Sequence, residues 1–186
     1  PRSITDRNGI LVGITTKTAV YVLLRGFPGT EVLIYVGIFM IFYGIIYALL
    51  ENDMRRILAY SIVNQVGFMI TGIGIGTEMA LNGAAAHAFA HIIYKALLLM
   101  SAGSVLHMTG QRKCTELGGL FRTMPITAIC GIIGALAISS FPLTSGFVSK
   151  SMISQGAADQ HMTYVWLLLT AASAGVLSSD GSESSE

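Results

Sequence analysis

Residues 87–100 read HAFAHIIYKALLLM, in which His87, His91 and Lys95 stand among Ala, Phe, Ile, Tyr, Leu and Met. The three ionisable residues are four positions apart, so on an α-helix they share one face. At 1.5 Å per residue they form a polar stripe about 12 Å long. A lysine at the centre of a membrane helix costs about 2.5 to 3.5 kcal/mol on insertion scales, so such a stripe needs a reason.

The composition is that of a membrane protein. Hydrophobic residues make up 53% of the 186 residues and charged residues 11%, whereas an ordinary soluble domain has about 25% charged residues. The formal net charge of +1 gives no support to nucleic-acid binding. No haem, flavin or iron-sulfur pattern is present, the spacing of Cys114 and Cys130 does not suit a metal site, and no cofactor is expected.

Apolar runs can be marked off by their charged and Gly/Pro breaks, against the roughly 20 residues needed to cross a bilayer. The first is short and interrupted by Lys17, and the third carries Asn64 and Gln65 at mid-depth. We therefore predict an all-α polytopic membrane protein with roughly six transmembrane helices, over residues 10–24, 31–50, 57–76, 79–107, 126–141 and 162–177.

Lysine and arginine residues in the connections predict the orientation of these segments. If each of the first five runs crosses the membrane once, Arg25 lies on one side. The other lysine and arginine residues of the connections lie on the opposite side, and that side should be cytoplasmic. The residues on that side are Arg2, Arg7, Arg55, Arg56, Arg112, Lys113 and Arg122.

A discontinuous membrane helix is expected around Lys150. Pro142 and Gly146 interrupt the apolar pattern before it, and a polar break near Asp159 interrupts it again. Broken helices at membrane depth are tolerated where they face protein or a water-filled cavity, and transporters place ion sites there. An ordinary loop with Lys150 at its edge is the structural alternative.

Proton transfer is the chemistry that suits these ionisable residues. Histidine titrates near pH 6.5, and desolvation favours the neutral form of lysine, so a buried lysine can bind and release a proton near neutral pH. The alternatives are a lysine that reaches the interface, above all for Lys17, and buried histidines that only bond the backbone. The candidate proton path comprises Lys17, His87, His91, Lys95 and Lys150, and no catalytic site is expected.

Three stretches carry a family resemblance: RRILAYSIVNQVGFM (55–69), HAFAHIIYKALLLMSAGSVLH (87–107) and FPLTSGFVSK (141–150). Together they resemble the antiporter-like proton-translocating membrane subunits. This family contains the A-type and D-type subunits of Mrp sodium/proton antiporters and the large antiporter-like subunits of respiratory complex I. Within this family, TTKTAVYVLLR (15–25) and LLLTAASAG (167–175) favour the D-type subunits.

The resemblance implies two inverted five-helix repeats, each with a broken helix, of which this chain would be the second. It gives Lys17 the place of the lysine that links the half-channels and Lys150 that of the broken-helix lysine. His87, His91 and Lys95 match the histidine and lysine helix between them. It also implies a bacterial-type inner membrane, with the lipid bilayer, other subunits, protons and possibly sodium as partners.

Two alternatives to a sodium/proton antiporter component stay open. One is the equivalent component of NADH:quinone oxidoreductase or a related hydrogenase, and the other is a non-functional truncated remnant. The family's first repeat would precede Pro1, and no signal-peptide pattern is present. Residues 1–177 are therefore expected to be a partial proton-conducting domain, and residues 178–186, SSDGSESSE, a polar disordered tail.

Overall fold

A computed structural model describes residues 15–110, 113 and 120–184, and in these ranges the chain is almost entirely α-helical. This confirms the predicted all-α fold. The helices are α1 (residues 15–26), α2 (Glu31–Leu50), α3 (Met54–Ile75), α4 (Glu78–Thr109), α5 (Leu120–Thr123), α6 (Pro125–Ile138), α7 (Ser145–Asp159) and α8 (Thr163–Ser184).

Within the described ranges, α2, α3 and α4 are long and apolar enough to cross a membrane, with 20, 22 and 32 residues. Helix α6 differs from the expectation that residues 126–141 cross alone. Its 14 residues extend about 21 Å at 1.5 Å per residue, which is short of a full crossing.

Helices α6 and α7 instead lie one after the other along α4. Gly134 of α6 faces Leu98 in the second half of α4, and Ile153 of α7 faces Gly83 in its first half. Together they form the discontinuous helix predicted near Lys150. The break between them holds two residues other than glycine in the left-handed region, Ser140 at φ 64° and Leu143 at φ 75°.

Helix α3 lies at the centre, and glycines bring α2 against it. A Cβ atom added to Gly44 of α2 would be 2.7 Å from the backbone nitrogen of Asn64, and one added to Gly74 of α3 would be 2.7 Å from that of Ile34. Small residues allow such close approach of helix backbones in membranes. The outer face of α2 is apolar as well, with Tyr35 and Phe39 exposed, so this helix is hydrophobic on every side.

Described basic residues lie at the two ends of the bundle, Arg25 at one end and Arg55 and Lys113 at the other. Asp53, at the start of α3, forms an isolated β-bridge with Lys113, so Arg55 and Lys113 lie at the same end of the bundle. Gly29, shortly after Arg25, donates its backbone N–H to the carbonyl of Ile73 at the other end of α3 (2.9 Å). Outside the described residues lie Arg2, Arg7, Arg112 and Cys114.

The last helix includes polar C-terminal residues. The backbone of α8 is helical through Ser184, and residues 185–186 lie outside the described ranges. Extending an existing helix adds one hydrogen bond for each residue fixed, whereas a new helix must first form a costly nucleus. A polar sequence directly after an apolar helix can therefore continue it.

The α2–α3 contact leads to a stability prediction. A methyl group at Gly67 would meet the carbonyl oxygen of Gly37 at 2.8 Å and the backbone nitrogen of Ile41 at 2.9 Å. Overpacking of this kind costs about 1 to 3 kcal/mol, so Gly67→Ala should lower the thermal unfolding midpoint in detergent. Gly131→Ala is the matched control, because the nearest neighbour of its added methyl is the Ser101 hydroxyl at 3.7 Å. Equal midpoints for the two variants would contradict the proposed close approach.

Candidate functional site

All five ionisable candidates lie in the interior of the bundle. The exposed fraction of the side chain is 8% for Lys17, and it is 3% or less for His87, His91, Lys95 and Lys150. The ammonium nitrogen of Lys17 is itself buried, so this side chain does not reach out to the interface.

The spacing along α4 places the polar stripe as the sequence predicted. His87, His91 and Lys95 belong to the buried face of the helix, while Phe89 and Ile93 are exposed on the other side. The ring centroids of His87 and His91 are 6.3 Å apart. The Tyr94 ring stands edge-on to His91 at 5.3 Å, within the range of aromatic pairs.

His87 connects three helices through its two ring nitrogens. Its Nδ1 is 2.7 Å from the hydroxyl oxygen of Ser149 on α7, and its Nε2 is 2.9 Å from the side-chain oxygen of Gln65 on α3. All three side chains are almost completely buried. The ring is therefore held between α3 and α7, by two side chains that can each donate or accept a hydrogen bond.

Lys150 is held at the break between α6 and α7. Its Nζ donates a hydrogen bond to the carbonyl of Ile138 (3.0 Å), the last residue of α6, and lies 4.8 Å from the centroid of the Phe68 ring. The last carbonyls of a helix lack intrahelical partners and carry partial negative charge. The face of an aromatic ring also attracts a cation. Lys150 thus meets two electron-rich groups.

Lys95 is bound from the central helix, since its Nζ donates a hydrogen bond to the hydroxyl of Ser61 on α3 (3.0 Å). His91 differs from it: neither ring nitrogen has a hydrogen-bond partner among the described residues, and the same is true of the Lys17 Nζ. The five ionisable side chains are therefore all buried, on α1, α4 and α7.

Three polar side chains that contact these residues were not predicted as site residues: Ser61, Gln65 and Ser149. Gln65 at mid-depth in an apolar run was a visible signal, and Ser149 directly precedes Lys150. Neither the depth of Gln65 in its apolar run nor the position of Ser149 beside Lys150 indicates which ionisable side chain the residue contacts. In the described part of the chain, no group of three or more His, Cys, Asp or Glu side chains is arranged to hold a metal ion.

Comparison with known proteins identifies the family of this bundle. The family described as NADH:quinone oxidoreductase/Mrp antiporter, transmembrane, matches residues 7–177. The chain belongs to this family. With its apolar helices, it is an integral membrane protein.

Relatives come from both branches of the family. The D subunit of the Na⁺/H⁺ antiporter of Alkalihalophilus pseudofirmus is 38% identical over 148 residues, which cover 74% of this chain and 30% of the relative. NADH-ubiquinone oxidoreductase chain 5 of Dictyostelium discoideum is 33% identical over 171 residues, covering 87% of this chain and 25% of the relative. The chain thus spans less than a third of the length of these relatives.

A solved structure agrees with the fold. In the Mrp complex from Dietzia sp. DQ12-45-1b, one chain superposes with a TM-score of 0.82 and 26% sequence identity, over 88% of this chain and 32% of the other. The fold of this chain is therefore similar to that of part of a chain in an Mrp complex.

The bond between Lys95 and Ser61 leads to a second prediction. A hydrogen bond to a charged group contributes about 1.5 to 3 kcal/mol, so Ser61→Ala should destabilise the protein by an amount of that order. Ser104→Ala is the control, because the Ser104 hydroxyl is exposed and bonds the carbonyl of Met100 in its own helix. Thermal unfolding in detergent measures both. A Ser61→Ala variant as stable as Ser104→Ala would show that this bond contributes nothing.

Proposed function

We propose that this chain moves protons across the membrane along a path formed by Lys17, His87, His91, Lys95 and Lys150, as part of a D-type component of a multisubunit sodium/proton antiporter. The observation that carries the proposal is the burial of all five ionisable side chains inside the helix bundle. Ionisable residues inside membrane segments are costly and mark ion or proton pathways.

The arrangement provides for stepwise transfer. Lysine and histidine each exchange one proton, and in a site with little water like charges repel strongly. A proton that arrives at one lysine then favours release from the next. Neither ring nitrogen of His91 has a hydrogen-bond partner among the described residues, and in this proposal both nitrogens take part in proton exchange.

Lys150 is proposed as the terminal loading site. Its ammonium form is supported by the Ile138 carbonyl and by the Phe68 ring, and neither group carries a full negative charge. A dipole or a ring face attracts a charged amine less strongly than a carboxylate at the same distance would. The support given by these two groups is therefore compatible with release of the proton when a neighbouring lysine becomes charged.

The similarity to a component of a Na⁺/H⁺ antiporter and to a chain of an Mrp complex supports assembly with other membrane subunits. It also supports sodium as the coupled ion and a bacterial-type inner membrane as the location. Lipid surrounds the exposed apolar side chains of α2 in this proposal, and no nucleic acid takes part.

A respiratory role is the second candidate. The relative named NADH-ubiquinone oxidoreductase chain 5 favours it, because the same proton path could be driven by redox chemistry in other subunits. Genes for small antiporter components beside this one would favour the antiporter, and genes for quinone reductase components would favour the respiratory complex.

Vesicle transport tests the function and the site together. In everted membrane vesicles that contain the full-length protein and its neighbouring gene products, sodium should collapse an imposed pH gradient. Lys95→Ala and Lys150→Ala should each reduce the collapse by at least about tenfold, as expected when a group that transfers protons is removed. Lys113→Ala is the matched control, because Lys113 is exposed in a connection; it should leave the collapse unchanged.

Each remaining outcome has a distinct meaning. Unchanged transport in Lys95→Ala or Lys150→Ala, with normal amounts of assembled protein, would remove that lysine from the path. Acidification driven by NADH, without any response to sodium, would assign the chain to the respiratory branch.

A further inference from the structure

The two partners of His87 set it apart from His91, one turn further along α4. Both rings are buried, yet only His87 has a hydrogen-bond partner at each nitrogen among the described residues. These partners, Ser149 and Gln65, come from positions 62 and 22 residues away in sequence, so the tertiary fold brings them to the ring. Each is a side chain that can both donate and accept hydrogen bonds.

The Ser149 hydroxyl has a choice of acceptors for its one proton. Its oxygen lies 2.9 Å from the carbonyl of Ser145, 3.3 Å from that of Gly146 and 2.7 Å from the Nδ1 of His87. When Nδ1 carries no proton, the hydroxyl can donate to it. When Nδ1 is protonated, the hydroxyl can accept from it and donate to a carbonyl of its own helix.

The Gln65 amide offers the same choice at the other side of the ring. Its oxygen faces the Nε2 of His87, and its NH₂ group has no hydrogen-bond partner among the described residues. The oxygen and nitrogen of an amide exchange places on a half-turn. Gln65 can therefore accept from a protonated Nε2 or donate to an unprotonated one, without movement of the backbone.

We propose that Ser149 and Gln65 are positioning residues that keep both ring nitrogens of His87 hydrogen-bonded in either neutral tautomer and in the charged form. The charged ring donates to both side chains, and each tautomer donates to one and accepts from the other. The consequence of this arrangement for transport rests on the proposed function. The His87 ring can gain or lose a proton without turning, so little reorganisation accompanies each proton transfer.

The arrangement also ties the broken helix to α4. Ser149 directly precedes Lys150, whose Nζ bonds the carbonyl of Ile138, so adjacent residues of α7 contact His87 and the end of α6. A shift of the whole of α7 would alter both contacts together. Loss of the Ser149 hydroxyl alone removes only the contact with His87, so it should disturb His87 and leave the Lys150 bond in place.

Nitrogen NMR tests the assignment directly. The full-length protein, labelled with ¹⁵N-histidine and reconstituted in lipid, gives ring-nitrogen signals that report protonation and hydrogen bonding; His87→Asn identifies those of His87. In Ser149→Ala the Nδ1 signal of His87 should shift, and in Gln65→Met the Nε2 signal should shift, while His91 stays unchanged.

Controls on the same helix separate positioning from general disturbance. Ser151→Ala removes a hydroxyl that also bonds a carbonyl four residues earlier (2.7 Å) but is exposed and does not contact His87. It should leave the His87 signals unchanged. Ser149→Thr should restore the Nδ1 signal, whereas Ser149→Val, of nearly the same size, should not. Unchanged His87 signals in Ser149→Ala and Gln65→Met, or equal effects of Thr and Val, would overturn the proposal.

Transport gives the second readout. Sodium-dependent collapse of the pH gradient should slow by about tenfold in Ser149→Ala, with an altered pH profile and recovery in Ser149→Thr. Full transport in Ser149→Ala, with transport lost in Lys95→Ala, would overturn the positioning role and keep the proposed function. If native vesicles move no protons, the proposed function fails, and the NMR signals alone decide the hydrogen bonds.

Discussion

Hydrocarbon offers no hydrogen bonds, so every polar group at membrane depth must find its partner within the protein or in enclosed water. This constraint accounts for the place of α3 at the centre of the bundle. Its glycines bring α2 close on one side, while Ser61 and Gln65 meet Lys95 and His87 from the other. Helix α3 thus packs closely against the backbone of α2 and also provides hydrogen-bond partners for the buried ionisable side chains of α4.

The same constraint explains why α6 and α7 are separate. A continuous helix over both would use its own backbone groups and leave no free carbonyl for a buried amine. The break exposes the carbonyl of Ile138, and Lys150 bonds it. The left-handed backbone at Ser140 and Leu143 is a local cost of about 1 to 3 kcal/mol per residue. It is offset by an acceptor placed at membrane depth.

Periodicity predicted those features that are local in sequence. Four-residue spacing placed His87, His91 and Lys95 on one buried face, and the breakers around Lys150 indicated a discontinuous helix. The position of α6 and α7 one after the other along α4 was not predicted, because it depends on which helix they contact. Polar composition alone likewise does not report whether residues 178–184 continue the preceding helix.

The bonds that define the candidate site lay beyond the reach of sequence. Gln65 and Ser149 are far from His87 along the chain, and many arrangements of apolar helices would satisfy the same pattern of hydropathy. The ionisable residues stood out in the sequence, and resemblance to a family suggested roles for them, but neither indicated the side chains that hold them. Which side chains contact His87 depends on the rotation of α3 and α7 about their own axes. That rotation is fixed by the packing of the helices, and composition does not report it.

The contact between Lys150 and the end of α6 has a mechanical meaning. A hydrogen bond from an ammonium group is roughly twice as strong as one from a neutral donor, so the two halves of the broken helix are held together more firmly when the amine is charged. A change in the charge of one amine would therefore change how firmly α6 and α7 are held to each other, and so alter the mechanical stiffness of the broken helix.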